Sequence, residues 1–292
     1  MQARRFFIAG TGFEAPPLAP GLYVVATPIG NLRDMTLRAL ETLAAADIVY
    51  CEDTRNSARL LTHYGIATPR KPLHEHNERA LVETVLDDVR RGGRVALISD
   101  AGTPLLSDPG FPLVRAARAA GLPVFAVPGA SALLAGLAVA GLPTDAFGFF
   151  GFLPPKAAAR RAALMALAAR RETLVFYESP RRLGATLADM AAAFGAARAA
   201  TVALELTKKF ERVAHGPLGD LAPRFAEAEK GEAVILVAGA PEEAPAADAW
   251  QAALDEALAE LPLRAAVDAV TLRFGLKRKE VYDAALAKKA GR

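Results

Sequence analysis

Cysteine and long apolar runs are both scarce in this chain of 292 residues, whose one cysteine is Cys51. A single cysteine cannot form an internal disulfide, which is typical of proteins from a reducing compartment. A membrane helix needs about 18 consecutive apolar residues, and no run approaches that length. Residues 1–10 (MQARRFFIAG) have neither the apolar core nor the cleavage site of a signal peptide. The sequence therefore predicts a cytoplasmic protein with no membrane partner.

The usual fingerprints of nucleotide and metal sites are missing as well. Gly10 and Gly12 follow apolar residues, but the prolines at 16–17 prevent the helix that a dinucleotide fingerprint needs. His74 and His76 alternate and would share one face of a strand. No third ligand follows at a recognisable spacing, and there is no cysteine cluster. We therefore expect no metal site.

Positive charge is concentrated near the end of the chain. Residues 271–292 contain seven Lys or Arg and two Asp or Glu, which gives this segment a net charge of +5. The whole chain carries +3, so the remaining residues together carry −2. A basic segment attached to a nearly neutral body favours an anionic partner such as nucleic acid. Lys and Arg also accumulate at helix C-termini for electrostatic reasons alone, and charge by itself does not separate the two interpretations.

Strand-like and helix-like runs alternate from residue 22 onwards, which predicts an α/β protein with a parallel sheet covered by helices. The length suits two domains of ordinary size. We predict a flexible leader and three further parts, with a linker rich in Pro and Ala at 240–249 before the last of them. Their bounds are 1–20 for the leader, 21–134 for an N-terminal α/β domain, 135–240 for a C-terminal α/β domain and 248–292 for a basic helix-turn-helix-like module.

Two loops after strand-like runs are the most informative. Residues 97–111 (LISDAGTPLLSDPGF) follow a strand with glycines, prolines and small polar residues over a length that an ordinary strand-to-helix connection does not need. Such loops expose backbone groups that can bind a polar ligand. Residues 127–133 (VPGASAL) repeat the pattern, and Ser131 can either cap a helix or offer its hydroxyl to a ligand.

Four stretches resemble the tetrapyrrole-methylase superfamily: ATPIGNLRDMTLRAL (26–40), SDAGTPLLSDPG (99–110), VPGASAL (127–133) and LVFYESPRRL (174–183). The motifs TPIGNL, CEDTR and GTPLLSDPG are most similar to the branch that methylates a ribose 2′-oxygen of a 16S ribosomal RNA cytidine at the decoding centre. The resemblance covers residues 21 to about 240, and the basic helical tail is similar to the extension of that branch.

The resemblance implies a two-domain tetrapyrrole-methylase-like α/β fold with S-adenosylmethionine in the cleft between the domains, plus a small helical C-terminal module and a homodimer. Thr103 stands where many members carry Asp, which makes its contact a departure from the pattern. Matching the motifs residue by residue implies these cofactor-binding positions: Pro28, Ala101, Gly102, Thr103, Leu106, Ser131, Ala132, Glu178 and Leu206.

A ribose hydroxyl is a poor nucleophile, so a general base or a polarising neighbour should assist the transfer. Asp53, His76 and Asp108 are the candidates, although Asp53 could equally cap a helix and Asp108 could equally form a turn. Exposed cations could bind RNA phosphates, although a single one is more often an ordinary surface charge. The candidates for this role are Arg33, Arg55, Lys156, Arg181, Lys277, Arg278 and Lys279.

We therefore expect an S-adenosylmethionine-dependent methyltransferase acting on 16S ribosomal RNA in the small ribosomal subunit. A tetrapyrrole or corrinoid C-methyltransferase on the same fold is the first alternative, because fold alone does not define a substrate. A non-enzymatic nucleic-acid binder that uses the helical tail is the second, but it leaves the cofactor loops without a purpose.

Overall fold

The structure is a computed structural model that describes residues 4–241 and 249–290. The chain divides into two compact units, Met1–Ala240 and Pro241–Arg292. The linker predicted at 240–249 falls largely on residues 242–248, outside the described residues. No helix of the described residues is long and apolar enough to cross a membrane.

The first unit opens with a β-hairpin formed by β1 (Arg5–Ile8) and β2 (Thr11–Glu14). The prediction of a flexible leader at 1–20 is therefore wrong for these strands. Phe6 is 2% exposed and stacks on Phe13 with ring centroids 5.5 Å apart. The Phe7 amide donates to the Tyr64 carbonyl at 2.8 Å. A buried aromatic ring and backbone hydrogen bonds attach the hairpin to the domain behind it. Residues 1–3 lie outside the described residues.

The N-terminal domain contains a five-stranded sheet in the order β5-β4-β6-β3-β7, with all pairs parallel. The central strands are buried on both faces, which explains why they appear in the sequence as continuous apolar runs. The strands are β3 (Gly21–Val25), β4 (Ile48–Cys51), β5 (Arg70–Pro72), β6 (Arg94–Ile98) and β7 (Val124–Val127). The helices between them are α1 (Leu37–Ala45), α2 (Thr54–His63), α3 (Glu78–Arg90) and α4 (Phe111–Ala119).

The C-terminal domain contains a mixed five-stranded sheet in the order β11-β10-β12-β9-β8, in which β8 and β9 are parallel and the other pairs antiparallel. The strands are β8 (Phe147–Phe152), β9 (Thr173–Glu178), β10 (Ala199–Leu204), β11 (Arg212–Pro217) and β12 (Ala233–Val237). The helices are α5 (Ala132–Val139), α6 (Ala157–Met165), α7 (Leu183–Phe194) and α8 (Leu218–Arg224).

Helix α5 crosses the boundary that the sequence predicts at 134/135. Its Leu133 and Leu137 pack in one apolar cluster with Val234 and Leu236 of β12. A Cβ at Gly136 would lie 3.1 Å from Val234 Cγ1, so the glycine allows the helix to approach the strand closely. Helix α5 therefore packs against the second sheet from both sides of the predicted boundary.

The second unit consists of α9 (Ala249–Glu260), α10 (Leu263–Phe274) and α11 (Arg278–Ala290). Leu254, Val267, Val270, Val281 and Ala285 form its own core. Gly275 has φ +63° and ends α10 in the left-handed conformation that glycine adopts without strain. The helix, turn and helix predicted around Gly275 are therefore present.

Candidate active site

The loops that follow β3 and β6 meet at the carboxyl edge of the N-terminal sheet. The two strands are parallel neighbours, so their C-terminal ends lie side by side. Thr27 and Gly102 exchange backbone hydrogen bonds of 2.8 and 3.0 Å, which ties the loops together. Gly102 has φ +80°, a conformation that favours glycine at this position. The TPIGNL and GTPLLSDPG motifs are therefore brought into direct contact.

The loop after β6 carries backbone strain. Leu105 has φ +75° and Ser107 has φ +67°, conformations that side chains with a Cβ rarely adopt. The Gly110 amide donates to the buried Glu78 carboxylate at 2.8 Å, which fixes the end of the loop at the start of α4. Strained residues persist only where the surroundings hold them, and they cluster at functional sites.

A cavity of about 470 Å³ lies between the two domains of the first unit, and we call it the donor cavity. Ile29 and residues 100–103 and 106–108 form its N-terminal wall, and Leu206 and residues 231–234 lie on the C-terminal side. Both domains therefore line the cleft in which the resemblance places a cofactor. The predicted tetrapyrrole-methylase-like α/β fold is confirmed.

The donor cavity is acidic. The described residues that line it include five carboxylates and no lysine, arginine or histidine. The carboxylates belong to Glu52, Asp100, Asp108, Glu178 and Glu232. Carboxylates grouped in a partly desolvated cleft favour a cationic ligand, because opposite charges attract more strongly there than in water.

Burial, together with the charges of Glu52 and Asp100, raises the pKa of Asp108 to about 6, although a hydrogen bond with Ser99 acts in the opposite direction. Burial also raises the pKa of Glu52, and the charge of Asp100 adds to that effect. Asp108 therefore titrates close to neutral pH, which suits a group that takes up and releases a proton.

The Glu178 carboxylate faces the cavity but is already occupied by hydrogen bonds within the protein. It accepts from the Thr186 hydroxyl at 2.6 Å, the Ser179 amide at 2.7 Å and the Arg182 guanidinium at 2.8 Å. Its side chain is 0% exposed, whereas that of Arg182 is 26% exposed. Glu178 therefore fixes the turn after β9, and its charge is balanced by Arg182.

Most of the cofactor positions expected from the sequence meet in the donor cavity. The residues that line it are Ala101, Gly102, Thr103, Leu106, Ala132, Glu178 and Leu206. Thr103 donates its hydroxyl to the Ala130 carbonyl at 3.2 Å, which joins the two glycine-containing loops. Ser131 instead caps α5 by accepting from the Leu134 amide at 3.5 Å. Pro28 lines a second, smaller cavity.

The three candidate bases are placed differently. Asp108 lines the donor cavity, and its pKa is raised. Asp53 caps α2 and pairs with Arg55 at 2.7 Å, and these hydrogen bonds lower its pKa to about 2. His76 is exposed in the turn before α3 and lines neither cavity. The geometry thus favours Asp108 over the other two.

The cations expected to bind RNA are all exposed. Three of them lie on the first unit: Arg33 in the 3-10 turn after β3, Lys156 at the start of α6, and Arg181 in the 3-10 turn after β9. Arg55 is paired with Asp53. In the second unit, Lys277 and Lys279 flank Arg278, which pairs with Asp268 at 2.7 Å. The described residues contain no group of three or more His, Cys, Asp or Glu that could hold a metal ion.

Sequence reasoning missed Asp100 as a site residue, although it lies in the motif SDAGTP. Its carboxylate accepts from the Asn56 side-chain amide at 2.7 Å and from the Asp53 backbone amide at 3.1 Å. Asp100 lines both the donor cavity and the smaller one. The signal was the position directly after a buried strand, but the contact with α2 depends on the tertiary fold.

The smaller cavity, of about 280 Å³, shares Ile29, Asp100, Ala101 and Glu232 with the donor cavity. It also includes two cationic side chains, Arg59 and Lys208. Its other lining residues are Thr27, Pro28, Gly30, Leu32, Asn56 and Leu60. The two cavities are therefore neighbours with a common wall and different charge.

Comparisons with known proteins agree with this geometry. The family model described as Tetrapyrrole (Corrin/Porphyrin) Methylases matches residues 21–222, and the one described as RsmI C-terminal HTH domain matches residues 243–289. The Ribosomal RNA small subunit methyltransferase I of Pseudomonas aeruginosa is 50% identical over 272 residues, which are 91% of this chain and 96% of that protein. The protein of the same name from Mesorhizobium japonicum is 47% identical over 94% of each chain.

Solved structures show the same fold at low sequence identity. Uroporphyrin-III-C-methyltransferase from Thermus thermophilus superposes with a TM-score of 0.54 at 23% identity, over 75% of this chain and 94% of that one. Diphthine synthase superposes with a TM-score of 0.57 at 16% identity, over 75% and 89%. The two family matches together cover residues 21–222 and 243–289. The chain therefore belongs to the tetrapyrrole methylase family, together with the relatives named ribosomal RNA small subunit methyltransferase I.

Proposed function

We propose that this methyltransferase transfers a methyl group from S-adenosylmethionine to the ribose 2′-oxygen of a cytidine in the decoding centre of 16S ribosomal RNA. The observation that carries the proposal is the acidic donor cavity between the two domains, in a chain whose relatives are named small-subunit ribosomal RNA methyltransferases. The basic end of the chain adds a surface for an anionic substrate.

The residues of the donor cavity fit this cofactor. When bound, S-adenosylmethionine supplies a methyl group that is already electrophilic, because it is attached to a positively charged sulfur. Glu178 and Glu232 are paired with Arg182 and Lys208. The carboxylates of Glu52, Asp100 and Asp108 are left to suit that positive charge. The backbone of the loop at 101–103 offers polar groups for the adenosine, and Leu106, Ala132 and Leu206 offer apolar contacts. Since the donor needs little activation, the main task of the protein is alignment.

Asp108 is the residue to which we assign the proton of the ribose hydroxyl. It lines the cavity, and its pKa of about 6 leaves it ionised at neutral pH while keeping it more basic than an ordinary aspartate. Asp53 is a weaker candidate because its pKa is lowered to about 2. His76 is also a weaker candidate, because it lines neither cavity.

Arg33, Lys156 and Arg181 are the cations of the first unit that we assign to phosphates, with Lys277 and Lys279 in the second. Arg55 and Arg278 also remain assigned to RNA, but each would first have to leave a carboxylate partner. We infer that the substrate is the assembled small ribosomal subunit, which places the enzyme in the cytoplasm with the ribosomes.

We also infer a homodimer. β7 is an edge strand, and Phe125 on it is 38% exposed. Leu134 and Val139 on the following helix α5 are 57% and 39% exposed. Exposed apolar side chains and an open sheet edge are each typical of protein interfaces. Leu134→Glu should convert a dimer to a monomer in light scattering, and a wild-type protein of monomeric mass would contradict this inference.

The test of the function is methyl transfer from labelled S-adenosylmethionine to small subunits that lack the modification, with a tetrapyrrole precursor as the competing acceptor. We expect label in 16S RNA only. Label in the tetrapyrrole alone would show that the proposed substrate is wrong, while the assignments of fold and cofactor would stand. Label in neither, without cofactor binding, would leave a nucleic-acid binder as the better description.

A further inference from the structure

The smaller cavity has the position that an acceptor pocket needs. It shares Ile29, Asp100, Ala101 and Glu232 with the donor cavity, so a ligand in one lies next to a ligand in the other. Group transfer requires donor and acceptor atoms to be held together in a fixed geometry. A cavity that opens on the same wall is therefore the natural place for the second substrate.

The two cavities differ in the charge of the residues that line them. The donor cavity has no described lysine, arginine or histidine in its lining, whereas the smaller one has Arg59 and Lys208. The Lys208 ammonium lies 2.9 Å from both the Glu205 and the Glu232 carboxylates, so its charge is balanced within the protein. Within the described residues, the exposed Arg59 guanidinium has no hydrogen-bond or ion-pair partner. Arg59 is thus the charge available to an anionic ligand.

The remaining walls suit a ribonucleotide. Asn56, Arg59 and Leu60 lie on one face of α2, because residues three and four apart in a helix are neighbours. The Asn56 amide is fixed on Asp100, and together they offer donors and acceptors for sugar hydroxyls. Leu32 and Leu60 supply apolar surface for the sugar, or for a base that is flipped out of the base stack.

Lys208 forms the far side of this cavity and joins the domains. A Cβ at Gly30 would lie 2.4 Å from Lys208 Cγ, so the lysine stem passes directly over the glycine. Glu205 and Thr207, close to Lys208 in the same turn, have φ +53° and +67°. One side of the cavity is therefore formed by a strained, ion-paired turn.

We propose that the smaller cavity binds the acceptor ribonucleotide, with Arg59 contacting a phosphate next to the target ribose and the Asn56–Asp100 pair holding the sugar. This assignment rests on the proposed function and adds the place at which the RNA enters. Arg59 was not among the RNA contacts expected from the sequence, and its role follows from the two cavities.

The test uses the full chain, small subunits that lack the modification, and Arg59→Ala beside the control Arg115→Ala. Arg115 is an exposed arginine on α4 that lines neither cavity. Losing one phosphate contact should reduce the slope of log affinity against log salt by about 1. It should also lower kcat/KM for subunits by about tenfold, since a charge-assisted hydrogen bond is removed. Arg59→Lys should restore the slope.

Binding of S-adenosylhomocysteine by calorimetry provides the second readout, and it should be the same for the wild type and both alanine variants. An Arg59→Ala enzyme with the salt slope and kcat/KM of the wild type would overturn the pocket assignment alone. A wild type that binds S-adenosylhomocysteine but neither binds nor methylates subunits would overturn the proposed function, and the pocket assignment with it.

Discussion

Asp108 lies half-buried beside Ser99, and burial with the charges of Glu52 and Asp100 raises its pKa to about 6. If it accepts the hydroxyl proton, only its ionised form is active. We therefore expect kcat/KM to be flat above pH 7 and to fall about tenfold per pH unit well below pH 6. The measurement is a pH profile of methyl transfer between pH 5 and 8.

The control for this profile is Asp108→Asn, which removes the titrating group and keeps the size of the side chain. It should lower the rate by about 100-fold or more, the usual contribution of a general base. The residual activity should no longer fall with the same acid limb. A variant that retained both the rate and the limb would assign the titration to another group, such as Glu52.

Glu178 has a structural role that is separate from cofactor contact. Glu178→Ala would leave Arg182 and Thr186 without their carboxylate, and breaking a buried pair costs about 3–5 kcal/mol. We expect a loss of about 3 kcal/mol in the free energy of unfolding, the lower end of that range, because Arg182 is partly exposed. Urea denaturation provides the measurement.

Glu172→Ala is the matched control for Glu178. Glu172 pairs with the exposed Arg170 at 2.8 Å, and such surface pairs contribute less than about 1 kcal/mol. Equal losses for the two variants would show that the Glu178 network does not hold the turn after β9.

At the scale of elements, the N-terminal hairpin is the main departure from expectation. Phe6→Ala removes a ring that is 2% exposed and should cost about 3–5 kcal/mol of unfolding free energy. Phe7→Ala, at a neighbouring ring that is 43% exposed, should cost about 1 kcal/mol. Thermal or urea unfolding measures both, and a small equal effect would mean that the hairpin adds little to the domain.

Elements with an apolar signature were predictable from sequence. The run at residues 22–26 corresponds to β3 (Gly21–Val25), and the run at 94–99 to β6 (Arg94–Ile98), because central strands must be apolar on both faces. β5 (Arg70–Pro72) and β11 (Arg212–Pro217) were missed. Both are edge strands with one neighbour and exposed side chains, so no burial pattern reveals them.

The candidate site was predictable in part for a related reason. The glycine-containing loops stood out locally, and most of their residues line the donor cavity. The sequence did not indicate that Asp100 lies in a wall common to both cavities, or that the charge of Arg59 is free. They result from α2 and the turn at Lys208 meeting across the domains, which a single sequence does not show.

For the whole molecule, we expect the first unit to bind the cofactor and the second unit to add contacts to the RNA. The first unit has its own apolar cores, and the second has a separate one. Removing residues 241–292 should leave S-adenosylhomocysteine binding unchanged, because the donor cavity lies within the first unit. Lys277 and Lys279 are exposed, so the slope of log affinity for small subunits against log salt should fall by about 2.

Calorimetry and salt-dependent subunit binding on the shortened chain check this division. An unchanged salt slope would show that the helical unit makes no ionic contact with the RNA. Loss of S-adenosylhomocysteine binding would show that the first unit depends on the second.

The central claim concerns the atom that receives the methyl group, and nucleoside mass spectrometry tests it most directly. Small subunits without the modification are incubated with the enzyme and S-adenosylmethionine, and the 16S RNA is digested to nucleosides. The account predicts 2′-O-methylcytidine, whose 3′ linkage in the intact RNA resists alkaline cleavage, formed about 100-fold more slowly or less with Asp108→Asn. A methyl group on a base, or an unmodified RNA with active enzyme acting on a tetrapyrrole, would contradict it.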